Sequence, residues 1–222
     1  VALAFNSTLF EIYAFNAGNN TATMYEADDG DFMESLPLPG KPTCAVYDSR
    51  TKRFYCGIGD KDEVAVMDAK ARKISNTWSI APGKSPSSLA VDSGRGRLFA
   101  ACGNNLMIMV DGSSGKVLAT APTGIGPDAI AFDPDAQLVF SSSRDGTVTI
   151  AQVEATNTLN VVQTIQAGVG ARTLVLDPKT HNLYLLTAKF GALPKNDVNE
   201  PRPRIVPGSL KLLVYGRTGS QQ

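Results

Sequence analysis

Apolar residues come in short runs along this chain, often alternating with polar ones, as in "LMIMV" (106–110) and "TVTI" (147–150). Clusters of Gly, Pro, Asn, Asp and Ser separate the runs. Period-two alternation bounded by turn residues predicts half-buried β-strands. No stretch shows the i, i+3, i+4 spacing and caps of an amphipathic helix. "VFSSSRDGTVTI" (139–150) shows the local unit. Two runs flank Arg144-Asp145-Gly146, and Asp-Gly between such runs is a strong signal for a tight hairpin.

The unit recurs. "LAFNSTLFEIYAF", "AVYDSRTKRFYCG", "AVDSGRGRLFAAC", "AFDPDAQLVFSSS" and "VLDPKTHNLYLLT" each place an apolar pair before Asp or Asn, then a polar stretch, then an apolar or aromatic pair. Asn6, Asp48, Asp92, Asp133 and Asp177 mark the repeat at spacings of 42, 44, 41 and 44 residues. A second set of markers, Glu26, Asp68, Asp111 and Gln152, follows at 42, 43 and 41. Two markers holding one period define a structural repeat rather than a coincidence.

Each period contains four strands, a to d. In the third these are "SSLAV", "RLFAAC", "LMIMV" and "KVLATAP". The Asp that opens each a–b turn is expected to accept backbone N–H bonds two or three residues on. A four-stranded sheet of this size has two apolar faces and buries them only against neighbouring sheets. The pattern therefore predicts an all-β fold, a β-propeller of four-stranded antiparallel blades. About five blades are present, four complete and one of three strands. One propeller domain spans 1–222, with blade units near 1–40, 41–84, 85–126, 127–170 and 171–217 and a long loop insertion at 190–208.

Three segments carry a family likeness: "PDAIAFDPDAQLVFSSSRDGTVTI", "PSSLAVDSGRGRLFAACGNNLMIMVDGSSGKVLATAPTG" and "ARTLVLDPKTHNLYLLTAKFG". They resemble the YVTN-type β-propeller repeat, and among its members the YncE-like proteins, over essentially the whole chain. The strand-b motif is degenerate here ("FYCGI", "LFAAC", "VFSSS", "LYLLT"). WD40 dipeptides and kelch double glycines are absent. The resemblance implies a seven-bladed ring, so the chain is either part of a longer propeller or a ring closed with about five blades. It also implies a periplasmic or extracellular location, and it links the chain to nucleic-acid binding.

Composition adds limits. Among 222 residues, Lys plus Arg and Asp plus Glu are 21 each, so no strongly charged partner surface follows from the total. No apolar run is long enough for a membrane-spanning helix. "VALAFNSTLF" lacks the features of a signal peptide. Three Cys without a C-x-x-C pair and a single His argue against a Cys/His zinc site. Cys44 and Cys56 flank one a–b hairpin, so they are read either as a disulfide or as buried small residues, the second matching Ser and Ala at the equivalent positions.

Candidate chemistry falls on the face that carries the d–a connections and the b–c hairpins, around the mouth of the central channel. Thr43, Ser87, Asp128 and Arg172 each lie five residues before an Asp marker and are expected to point toward that mouth. Asp128 and Arg172, in neighbouring units, are placed to pair. Hairpin tips add Asn19, Asp60, Asn104, Arg144 and Lys189, and Arg144, Lys189, Arg172 and Lys84 make one side of the face basic. The candidate ligand-binding set is Asp128, Arg172, Arg144, Lys189, Asp60 and Asn104. The Pro-rich, charged insertion "GALPKNDVNEPRPRIVPG" is a solvated loop, a lid or a partner-docking segment.

Enzyme signatures are poor. No G-x-S-x-G elbow and no P-loop occur, and His181 lies in an a–b turn, expected to be solvated on the far face. The leading expectation is a non-enzymatic scaffold that binds a partner or a small polar or anionic ligand at the channel mouth, with no cofactor, catalytic residue or metal. A metal-dependent hydrolase or lactonase-like propeller is the alternative, with Asp128, Asp60, Asn104 and Asn19 as a partial ligand set. Nucleic-acid binding is a second alternative, weakened because no aromatics interleave with the basic residues.

Overall fold

The computed structural model describes residues 2–191 and 204–216. Every regular element among them is a β-strand, and the strands form five separate antiparallel sheets. Blade 1 runs β1 (Ala2–Asn6), β2 (Glu11–Asn16), β3 (Thr21–Glu26) and β4 (Phe32–Pro37). Blade 2 runs β5 (Pro42–Asp48), β6 (Arg53–Ile58), β7 (Glu63–Asp68) and β8 (Lys73–Ser79). Blade 3 runs β9 (Pro86–Asp92), β10 (Arg97–Cys102), β11 (Leu106–Asp111) and β12 (Val117–Pro122). Blade 4 runs β13 (Pro127–Asp133), β14 (Leu138–Ser143), β15 (Thr147–Val153) and β16 (Leu159–Gln166). Blade 5 has three described strands, β17 (Thr173–Asp177), β18 (Asn182–Thr187) and β19 (Lys211–Tyr215). Strand order within each sheet follows the sequence. The fold is a β-propeller.

One device closes every a–b hairpin. The Oδ1 of Asn6 accepts the N–H groups of Thr8 and Leu9, and that of Asp133 accepts those of Asp135 and Ala136. Asp48, Asp92 and Asp177 hold the N–H groups of Arg50, Arg95 and Lys179 in the same way. Each turn then needs a left-handed residue four places after the marker. Phe10, Lys52, Gly96, Gln137 and His181 take φ values of 59°, 58°, 65°, 53° and 58° there. The side-chain cap offsets what four non-glycine residues lose in that region.

The core lies between blades rather than within them. Tyr13, Phe15, Ala22 and Met24 of blade 1 pack on Phe54, Cys56, Ile58 and Met67 of blade 2. Tyr55, Val64 and Val66 meet Leu98, Ile108 and Val110 across the 2/3 interface. Phe99, Met107 and Met109 meet Ile130 and Val139 across 3/4, and Phe140, Val148 and Ile150 meet Leu174, Leu183 and Leu185 across 4/5. Middle blades are therefore buried on both faces, and β10 is buried along its whole length. The first strands β1, β5, β9, β13 and β17 contact one another in order and line the axis. The outer faces of the end blades stay uncovered: Leu3 and Phe5 of blade 1 are exposed, as are Val175, Leu212 and Val214 of blade 5. The described blades stack as an arc.

Cys44 and Cys56 are not opposed. Cys44 pairs with Gly57 and Cys56 with Ala45, one register apart, so their side chains enter different interblade cores. All three cysteines are free thiols. Burial pushes Cys44 up to about 11 and Cys102 up to about 12, and raises Cys56 as well. The 190–208 insertion lies largely outside the described residues. Its described ends meet in a bridge between Phe190 and Ile205.

Candidate functional site

Three channel-mouth positions have a common local cause. In blades 2, 3 and 4 the a–b pairing slips by one residue near the start of strand a. Pro42 pairs with Ile58 but Cys44 with Gly57, Pro86 with Cys102 but Ser88 with Ala101, Pro127 with Ser143 but Ala129 with Ser142. The extra residues are Thr43, Ser87 and Asp128, each at a β-bulge. A bulge re-aims its side chain out of the pleat, and here it turns each one toward the next blade.

The three use that position alike. The Thr43 hydroxyl bonds the carbonyls of Gly57 and, in blade 3, Pro86. The Ser87 hydroxyl bonds Ala101 O at 3.2 Å and Pro127 O of blade 4 at 2.8 Å. Asp128 reaches Arg172 Nε of blade 5 at 3.6 Å and Arg144 Nη2 of its own blade at 3.8 Å. From these positions the 2/3 and 3/4 junctions are linked by neutral hydrogen bonds and the 4/5 junction by an ionic bridge. Both ionic contacts are longer than a hydrogen bond, and the Arg144 and Arg172 side chains are 66% and 50% exposed. Such open pairs are worth only about 0–1 kcal/mol. The two guanidinium groups keep donors for an incoming anion.

The stem of Arg144 lies against Gly126, whose φ is +68°; a Cβ there would stand 3.2 Å from Arg144 Cδ. Arg144 N–H donates to Gly126 O at 3.0 Å. The "GIGPD" connection and the "SRDG" hairpin are in this way one rigid seat for the Arg144 side chain.

Other candidates are committed to loop architecture. Asp60 Oδ1 accepts the Lys41 N–H at 2.7 Å. Asn104 accepts the Lys84 N–H and donates to Pro82 O, both at 2.9 Å. Asp145, absent from the candidate set, holds the Ile125 N–H at 2.7 Å in the same manner. Hairpin tips here lash down the preceding d–a connection. Asn19 accepts from the Thr21 hydroxyl. Lys189 is exposed, and its backbone N–H and carbonyl both engage the Ser209 hydroxyl at the root of the insertion.

The opposite face holds what sequence reasoning missed. His181, expected as a solvated turn residue, has a side chain only 30% exposed, and its Nδ1 lies 2.8 Å from Asp133 Oδ2 of blade 4. The pair stands at the rim of a cavity of about 350 Å³ between blades 4 and 5. Leu138, Phe140, Val162, Leu183 and Tyr215 also line it. The one available signal was positional: His181 occupies the same left-handed turn site as Gln137, four residues past its marker.

No family model and no curated protein matches the sequence. Among solved structures, a chain of the Kuenenia stuttgartiensis hydrazine synthase aligns with a TM-score of 0.74 at 16% identity, covering 90% of this chain and 58% of that one. A chain of a mitotic checkpoint complex aligns with a TM-score of 0.71 at 14% identity, covering 82% of this chain and 58% of that one. Both matched chains are β-propellers. This protein spans a little over half the length of each, and at such identities the likeness is one of fold.

Proposed function

We propose that this propeller is a non-enzymatic binding scaffold of the YncE-like kind, exported to the periplasm or beyond, whose channel-mouth face captures a small anionic ligand. The observation that carries the reading is the Arg144–Asp128–Arg172 bridge, two exposed guanidinium groups sharing one carboxylate across the 4/5 junction. A carboxylate or phosphate entering there accepts from both arginines, and the forked donors of Arg suit either oxyanion. Because the native pairs are long and solvated, their loss on binding costs little. The repeat residues quoted above support the family part of the reading.

The test is a calorimetric titration with inorganic phosphate and with citrate, in low salt, of the wild type and of Arg144→Ala/Arg172→Ala. Saturable binding of at least one probe, weakened tenfold or more in the double variant, is the expected outcome. Absence of binding to the wild type, or equal binding by the variant, ends the proposal.

A further inference from the structure

Each blade junction repeats the same turn on the face away from the channel mouth, and at three of the four a protein cation crosses it. At 1/2, Arg72 Nη2 meets Glu11 Oε1 at 2.7 Å, and Lys52 Nζ meets Thr8 Oγ1 at 2.9 Å. At 2/3, the Arg50 guanidinium bonds the carbonyls of Ser93 and Gly94. At 3/4, Arg95 and Arg97 converge on Gln137 Oε1 at 2.6 and 2.7 Å, and Arg97 also neutralises Asp92. At 4/5 the corresponding turn positions are Asp133, Asp135 and His181. The recorded ion pair of Asp133 there is with an imidazole, which is charged only when protonated. Two carboxylates and an imidazole stand where the repeat elsewhere puts a fixed positive charge.

We infer that Asp133, Asp135 and His181 form a site for a divalent transition-metal ion of the Zn²⁺ type, which supplies a fixed positive charge between the two carboxylates and fastens blade 5 to blade 4. One ligand atom from each lies within 4.8 Å of the other two. Tetrahedral ligands at about 2.0–2.2 Å from an ion stand ~3.4 Å apart, so exposed Asp135 closes the set by a side-chain shift of at most ~1.5 Å. The donors are pre-arranged. Asp133 is buried, and the N–H groups of Asp135 and Ala136 hold its Oδ1, at 3.0 and 3.1 Å, which leaves Oδ2 directed at the imidazole. His181 is kept on this side by its left-handed turn conformation. One imidazole nitrogen with two carboxylates suits Zn²⁺ and its neighbours better than Ca²⁺ or Mg²⁺, which favour all-oxygen sets. The cavity bordered by Asp133 and His181 gives the ion's remaining positions room for water. The site is distinct from the channel-mouth site and does not depend on it.

The experiment is isothermal titration of metal-stripped protein with ZnCl₂ in a non-chelating buffer, for the wild type, Asp135→Asn and His181→Gln. Asp135 is exposed, and Gln already occupies the equivalent turn site at Gln137, so both variants are expected to keep the native circular dichroism. Groups that merely orient a metal ligand are worth about 10–100-fold in affinity, so loss of a ligand is expected to weaken Zn²⁺ binding by at least ~10-fold. One Zn²⁺ per wild-type chain is expected, with a melting temperature that Zn²⁺ raises in the wild type and not in Asp135→Asn. Failure of the wild type to take up micromolar Zn²⁺, or undiminished affinity in Asp135→Asn, overturns the inference.

Discussion

Arg97 and Asp92 make the most demanding electrostatic contact in the described chain. They sit opposite each other at the end of the β9–β10 ladder, and both side chains are only 4% exposed. Arg97 donates through Nε at 2.9 Å and Nη2 at 2.6 Å to one carboxylate oxygen, and its guanidinium lies 5.9 and 6.0 Å from the ring centres of Phe99 and Phe132. Arg97→Met leaves a buried carboxylate with one backbone N–H, that of Arg95, as its remaining hydrogen bond. Asp92→Asn leaves a buried guanidinium without a counter-charge, facing only the neutral amide oxygens of the new Asn and of Gln137. Breaking one side of such a pair costs about 3–5 kcal/mol, whereas replacing both charges is often nearly neutral. Each single variant is therefore expected to lose ~3–5 kcal/mol, and Arg97→Met/Asp92→Asn to lose only ~1–2 kcal/mol, a coupling of several kcal/mol. Urea unfolding followed by far-UV circular dichroism measures all four corners of the cycle. Additive losses would show that the two charges do not act as a buried unit, and the energetic account of the 3/4 junction would fail.

Three other outcomes are open to measurement. The hydroxyls of Ser141 and Ser143 are buried without a hydrogen-bond partner among the described residues, and blade 3 carries Ala100 at the register of Ser141. Ser141→Ala is accordingly expected to raise unfolding free energy by ~1 kcal/mol in the same urea assay, since an unpaired buried hydroxyl costs about 1–3 kcal/mol. Burial keeps all three thiols protonated at pH 8, so a thiol reagent should label none of them in native protein and three after denaturation. Bonds from the Ser113 hydroxyl, and further from Ser114, hold the Asp111 carboxyl down to about 2. A carboxyl depressed on folding contributes stability above its ordinary value of about 4 and loses it as pH falls toward 2. Between those pH values, Asp111→Asn should therefore show a shallower fall in melting temperature than the wild type.

Much of the fold was legible because the repeat states it five times. Asp48, Asp92, Asp133 and Asp177 announce their turns in a single sequence, since a carboxylate two or three residues from the N–H groups it caps is a local interaction. The same periodicity located Thr43, Ser87 and Asp128, although nothing in their chemistry predicted a bulge. Polar–apolar alternation established strands and the need for a neighbour on each face. It could not say which faces stay bare: Leu3 and Phe5 look no more exposed in the sequence than Tyr13 and Phe15, yet only the latter meet blade 2. Nor could it set the offset of one residue that sends Cys44 and Cys56 into different cores. The contacts that build sites lie further out of reach. The repeat put Asp128 and Arg172 at matching positions of neighbouring blades, where the structure pairs them at 3.6 Å, but it carried no sign that His181 meets Asp133 across the same junction, a contact set by how one rigid sheet rotates onto the next. Turns and strand pattern arise from neighbours along the chain, which the sequence contains outright. The pairing of charges between blades depends on angles and registers accumulated through the stacked sheets, and only the assembled structure determines those.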